Sequence, residues 1–191
     1  MIELDTGQGA GSSSLSLDLP NVGDSVVVGV VDYIHPKSPN PIQGRDYATG
    51  EPATWDDGSP KYLHMLVGLV KSPNEAWSRG EDGAPLAAGD EVTIWLEGGR
   101  FVDWRDWLND YRPANGFGVG HVIKITREPD QEPSRRGYQP RKSWSFAGRP
   151  PTGDDGTFTA ECEAAHTARK AAASTQLDTG PTAAFDDGDP F

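Results

Sequence analysis

The stretch "GDSVVVGVVDYI", residues 23–34, decides the fold class of this chain. It opens on turn residues and continues with β-branched side chains, which favour the pleated surface of a sheet. The stretch therefore predicts a strand over residues 24–34, and its partner strands are expected farther along the chain.

Four later segments have the composition of strands. They are "KYLHMLVGLVK" at 61–71, "DEVTIWLE" at 90–97, "GHVIKIT" at 120–126 and "RKSWSFAG" at 141–148. Side chains alternate between the two faces of a strand. On this pattern the inward residues are Leu63, Met65, Val67, Leu69, Val92, Ile94, Leu96, Ile123 and Ile125, and the outward residues are Tyr62, His64, Thr93, Trp95, Lys124 and Thr126.

One segment between these strands has a helical period. In "FVDWRDWLNDY", residues 101–111, large apolar side chains recur at helical spacing, which predicts a short amphipathic helix. Asp103 is expected to cap its N-terminus. Trp104 and Trp107 are interpreted as residues that pack the helix against the sheet.

The element order β-β-β-α-β-β predicts an all-β domain. Five strands with a short helix between strands three and four match the OB-fold, a small Greek-key barrel that binds oligonucleotides. Closure into a barrel would also remove most exposed strand edges. A β-sandwich is the alternative, which explains the strands but not the helix in that position. We expect a five-stranded OB-fold barrel at residues 21–149.

The two ends of the chain differ from its middle in composition and charge. Residues 20–150 hold 18 acidic and 15 basic residues, whereas residues 151–191 hold 8 acidic and 2 basic residues, in a chain of net charge −12. The Gly/Ser-rich residues 1–20 predict a flexible N-terminal lead. Residues 150–185 cannot bury much apolar surface, which predicts a disordered linker. Within it, "ECEAAHTARKAAAS" contains good helix formers and is expected to be helical part of the time.

The chain lacks the sequence signs of a membrane protein, a secreted protein or an enzyme. It has no run of about 18 apolar residues, no secretory signal at its N-terminus and a single cysteine, Cys162. We therefore expect a cytoplasmic protein with no membrane partner and no disulfide framework. Phosphate-binding, nucleophile-elbow and zinc-protease motifs are also missing. The acidic pair in "WDDG" at 55–58 is interpreted as a glycine turn, so we predict no enzymatic activity, no cofactor and no metal.

Aromatic and basic side chains suit the binding of a nucleic acid strand. Unpaired bases stack on aromatic rings, and cations follow the phosphates. The segment 124–149 interleaves basic residues with aromatic ones. This local excess of positive charge does not show in the net charge of the whole chain, which is negative. The predicted DNA-binding residues are Trp55, Lys61, Tyr62, His64, Trp95, Lys124, Arg127, Arg141 and Trp144. For Tyr62, His64 and Trp95, packing against the core is an equal alternative.

The chain ends in "FDDGDPF", residues 185–191. A terminal Phe ring can enter an apolar pocket, and its carboxylate can pair with a basic residue at the rim. The acidic residues can steer this peptide towards a basic surface. The predicted partner-binding residues are Asp186, Asp187, Asp189, Pro190 and Phe191. The alternative is an acidic tail without a specific partner.

This ending resembles the acidic tip of bacterial single-stranded DNA-binding proteins, and it departs from their common tip at Gly188 and Asp189. The layout of an OB-fold, a disordered linker at 150–185 and a tip at 186–191 is also similar. The middle, around "DDGSPKYL" at 56–63, looks more like the diverged OB-fold proteins encoded by phages of actinobacteria. Related proteins act as monomers, dimers or tetramers, so a homo-oligomer is possible.

The resemblance implies a phage-type protein that binds single-stranded DNA without sequence preference during replication, recombination or repair. It also implies that the tip recruits replication or recombination proteins. The alternative hypothesis is a β-domain that serves as a phage accessory or assembly protein and binds protein rather than DNA. The net charge of −12 favours this alternative, whereas the tip and the basic, aromatic segment favour DNA.

Overall fold

A computed structural model describes residues 15–178 of the chain, except residues 47, 75, 79–82, 114, 115 and 134–138. Its elements are β1 (Leu15–Asp18), β2 (Ser25–Ile34), β3 (His64–Ser72), β4 (Trp77–Ser78), β5 (Glu91–Leu96), α1 (Gly98–Tyr111), β6 (Val122–Gln131), β7 (Arg141–Arg149) and α2 (Gly156–Asp178). The strands form one sheet in the order β4-β1-β5-β3-β2-β6-β7. The prediction of a mostly β protein is confirmed.

The central strand β2 is the one that the β-branched stretch predicts. It pairs antiparallel with β3 on one side and with β6 on the other. Val26, Val28 and Val30 are buried on its core face. The other four predicted strands are also present, as β3, β5, β6 and β7, and Val92, Ile94, Leu96, Ile123 and Ile125 are buried as expected.

The sheet is open, so the prediction of a closed five-stranded barrel is wrong. Its order runs from β4 at one edge to β7 at the other. Leu15–Asp18, which belongs to the predicted flexible lead, forms β1 and pairs parallel with β5. β1 occupies the side of β5 with which another strand would have to pair to close a barrel.

Helix α1 is also longer and placed differently than expected. It spans 14 residues and lies between the fifth and sixth strands of the described sheet. It packs against the edge strand β7, where a Cβ at Gly148 would lie 2.7 Å from the Trp107 ring. The helix therefore covers one sheet edge without closing the barrel.

Asp103 does not cap α1. The helix begins at Gly98, after Glu97, which places Asp103 in its second turn. The carboxylate of Asp103 instead accepts hydrogen bonds from the backbone N–H of Trp144 at 2.9 Å and from Arg141 at 2.9 Å. Asp103 thus joins the helix to strand β7.

Strand β3 is buried on both faces, which the alternation argument did not anticipate. Leu66 and Val70 belong to the main core, whereas Met65 and Val67 belong to a second cluster on the opposite face. Helix α2 covers that opposite face. The face of β3 that was expected to be polar therefore packs in the main core, and the expected inward face, with Met65 and Val67, forms a second apolar interface under α2.

Helix α2 contradicts the predicted disordered linker over residues 156–178. Its Phe158 and Cys162 pack onto Gly29 of β2, where a Cβ would lie 2.5 Å from the Phe158 ring and 2.6 Å from the cysteine sulfur. Arg169 pairs with Glu91 of β5 at 2.7 Å. Within the described residues, neither helix has the length and apolarity to cross a membrane.

One buried carboxylate anchors the N-terminal end of α2 to the sheet. Asp155, 1% exposed, is paired with Arg149 of β7 and Lys71 of β3 and accepts hydrogen bonds from Thr152. The Arg149 guanidinium, the Lys71 ammonium and Thr152 hold the pKa of Asp155 far below its usual value. The stabilisation that these ion pairs give to the fold is therefore fully present above the unfolded-state pKa of about 3.9, and it declines as the pH falls from there towards the much lower folded-state pKa.

Releasing Asp155 should expose the only cysteine of the chain. Cys162 belongs to α2 and is buried where this helix packs on the sheet, and burial raises its pKa to about 11. In Asp155→Asn we expect a thiol reagent at neutral pH to label Cys162 several times faster than in the wild type. The exposed Asp154→Asn is the matched control. Equal labelling of all three proteins would contradict a fastening role for Asp155.

Candidate nucleic-acid interface

Residues 42–63, between β2 and β3, form an ordered arm. Short antiparallel bridges join Gln43 to Tyr62, Arg45 to Pro52 and Thr54 to Pro60. The arm joins the sheet where the N–H of Leu63 donates to the carbonyl of Ile42 at 2.9 Å. The described residues of this segment therefore form a folded projection.

The tip of the arm presents an aromatic ring and a cation. The Trp55 side chain is 55% exposed, and the Lys61 ammonium lies 4.8 Å from its ring centroid. Gly58 has φ 81° and donates to the Trp55 carbonyl at 2.9 Å, which confirms the predicted glycine turn. Hydrogen bonds from Ser59 lower the pKa of Asp57, so this carboxylate is ionised and serves the turn.

Trp95 lies on the sheet below the arm. The register pairs it with Met65, and its half-buried ring packs in the cluster that includes Ile42 of the arm. Trp95 therefore lies in an apolar cluster to which the base of the arm also contributes. His64 pairs with Leu96 and points to the opposite face, so these two predicted binding residues do not share a surface.

His64 has partners in the core. Its Nδ1 lies 3.1 Å from the Tyr33 hydroxyl, and its ring centroid is 4.3 Å from that of Phe101. Burial and then the neighbouring His35 lower the pKa of His64. The imidazole is therefore neutral at pH 7 and supplies no positive charge for a phosphate.

A cleft opens where the sheet fails to close, between β5 and β7. We call it the seam cleft; it measures about 230 Å³ and is lined by Leu17, Asp18, Trp95, Glu97, Gly99, Arg100, Lys142 and Trp144. The Arg100 guanidinium lies 3.8 Å over the Trp144 ring and donates to the Trp95 carbonyl at 3.3 Å. The cleft thus brings two predicted tryptophans together beside two cations.

The structure places other predicted residues inside the fold. Trp144 is 8% exposed and Arg127 is 4% exposed. The Arg127 guanidinium donates to the Ser143 carbonyl at 3.1 Å and pairs with Asp130. Arg141 donates to Asp103 and to Gln131, the latter at 2.6 Å. These contacts hold β6, β7 and α1 together.

Both cations of the seam cleft are absent from the predicted set. Lys142 belongs to the basic segment, and its exposed side chain lines the cleft. Arg100 comes from the first turn of α1. The sequence offered a basic residue at each position, but only the packing of α1 on β7 shows that both face Trp95.

Lys124 lies apart from the arm and the seam cleft. Its exposed side chain is on β6, beside a groove on the outer face of the sheet. Tyr62 is half-buried at the base of the arm. The predicted tip residues Asp186, Asp187, Asp189, Pro190 and Phe191 lie outside the described residues.

Within the part of the chain that the structure describes, no group of three or more His, Cys, Asp and Glu side chains could hold a metal ion. No family model matches the chain. No curated protein and no solved structure matches it either. The function must therefore be argued from the geometry of the arm and the seam cleft.

Proposed function

We propose that this chain is a phage-type single-stranded DNA-binding protein that binds without sequence preference along the arm and the seam cleft. The observation that carries the proposal is the exposed Trp55 ring with Lys61 beside it at the tip of the arm. Such a pair offers a stacking platform for a base and a cation for the adjoining phosphate. Trp95 and the cations of the seam cleft extend this surface across the sheet.

The arrangement of elements supports an OB-like reading of the open sheet. OB-folds bind oligonucleotides on the face of strands two and three and with the loops that join strands one to two and four to five. The predicted strands two and three are β3 and β5, and the arm joins β2 to β3. The loop after β6 leads into Lys142 at the seam cleft.

The free energy of base stacking and the geometry of duplex DNA both favour an unpaired strand as the ligand. Each stacked base contributes about 1–3 kcal/mol, so Trp55 and Trp95 together support useful affinity. A duplex keeps its bases stacked inside, so these rings cannot reach them. The middle of the chain is nearly balanced in charge, and Lys61, Arg100 and Lys142 supply cations for phosphates at the proposed surface, where Asp18 and Glu97 also line the cleft. The tip at 186–191 would recruit replication or recombination proteins.

Titration with oligo-dT tests the proposal. We expect the tryptophan fluorescence to fall as oligo-dT binds, because Trp55 and Trp95 stack on bases, and added salt to reverse the change. Fluorescence anisotropy of labelled oligo-dT gives the affinity independently. A matched duplex serves as the control and should bind far more weakly. Failure to bind oligo-dT at low salt would instead support the protein-binding accessory role.

A further inference from the structure

A second groove crosses the outer face of β3, β2, β6 and β7. It measures about 530 Å³, and Val27, Val122 and Ala147 supply an apolar floor. Three cationic side chains line it, namely Lys71 from β3, Lys124 from β6 and Arg149 from β7. Three different strands therefore bring positive charge to one surface.

Asp155 pairs with two of these cations, Lys71 and Arg149, but leaves both accessible to solvent. Asp155 is 1% exposed, whereas the side chains of Lys71 and Arg149 are 33% and 45% exposed. The carboxylate oxygens of Asp155 already accept from both cations and from Thr152. Lys has three donors and Arg has five, so both cations keep donors for a further anion.

The groove is separate from the proposed binding surface. Met65, which pairs with Trp95, precedes Lys71 by six residues on β3, a distance of about 20 Å at about 3.3 Å per residue. Helix α2 packs onto Gly29 between these two points. The sheet therefore carries two groups of cationic side chains, one on each side of α2.

We propose that the groove binds the phosphodiester backbone of the same DNA strand after it passes α2. This inference rests on the proposed function and extends its site. Charge complementarity supports a polyanion, because three cations face the groove and the exposed Asp154 and buried Asp155 leave an excess of positive charge. The apolar floor suits the deoxyribose rings, and none of the described residues that line the groove is aromatic, so the groove holds phosphates without stacking bases.

Oligonucleotides of two lengths distinguish binding at the groove from binding at the arm and the seam cleft. An oligo-dT of about 6 nucleotides occupies the arm and seam cleft, whereas one of about 25 nucleotides also spans the groove. In Lys124→Ala we expect several-fold weaker binding of the long oligo and no change for the short one. The slope of log K against log salt for the long oligo should fall by about 0.7 for one lost phosphate contact.

Lys170→Ala is the matched control, because Lys170 is an exposed lysine on α2 outside both surfaces. Equal effects of the two substitutions on the long oligo overturn the groove and leave the proposed function intact. Equal weakening of the short and long oligos by Lys124→Ala also overturns it, because the groove is then part of the first site. If the wild type binds neither oligo, both proposals fail. Thermal melting verifies that the variants remain folded.

Discussion

Replacing Trp104 with alanine should lower the free energy of unfolding by about 3–5 kcal/mol. Trp104 is the fully buried residue of α1, and its ring meets those of Tyr33 from β2 at 5.5 Å and Phe146 from β7 at 5.3 Å. Phe117 packs against it from the segment before β6. Truncation leaves a cavity where three parts of the fold meet, and urea denaturation followed by circular dichroism measures the loss.

Trp55→Ala is the control for Trp104. It removes the same side chain from an exposed position, so its stability should stay within about 0.5 kcal/mol of the wild type. A Trp104→Ala protein with the wild-type denaturation midpoint would contradict the assignment of α1 to the core. Such a result would indicate that the helix is not needed to cover the edge of β7.

The strands could be predicted because their composition and burial agree. β2 and β6 combine β-branched residues with one face in the main core, so the period of two carries correct information. The same reasoning failed for β3, where Leu66 and Met65 are both buried on opposite faces. A strand covered on both sides has no polar face, and alternation then cannot assign its orientation.

Two elements depend on contacts that a local reading of the sequence cannot find. β1 has only four residues and is held by pairing with β5, more than seventy positions later. α2 is rich in alanine and polar residues, and it docks because Gly29 leaves room for Phe158 and Cys162. Its ion pairs join Asp155 to Lys71 and Arg169 to Glu91 across separations of 84 and 78 residues.

The residues of the candidate site also divide into those whose placement the local sequence indicates and those whose placement depends on the fold. The sequence placed Trp55 in a loop and Lys61 at the start of the next predicted strand, and the structure brings this ring and this cation together at the tip of the arm. The choice among the remaining rings and cations required the strand register. It places Trp95 on the surface, His64 in the core and Arg127 beneath Trp144. Within strands, the face that a side chain occupies therefore decides whether it is accessible, and composition alone does not give that face.

Trp95→Ala should weaken oligo-dT binding by about 5- to 150-fold, which corresponds to about 1–3 kcal/mol for one lost stack. Trp95 belongs to the apolar cluster that also includes Ile42 of the arm, and it lines the seam cleft with Arg100. Strand β5 fixes its position, so little ordering is required when a base stacks on it. Anisotropy of labelled oligo-dT measures the change in affinity.

Two comparisons separate stacking from packing at this position. Trp95→Phe retains an aromatic face and should recover most of the affinity, because stacking needs a flat ring rather than an indole. Both variants also change the packing of the apolar cluster to which Trp95 belongs, so melting temperatures must be measured alongside. If Trp95→Ala melts earlier yet binds oligo-dT like the wild type, Trp95 is a packing residue. In that case the DNA path must run over the arm alone, because Trp144 is buried in the fold and could not replace the lost stack.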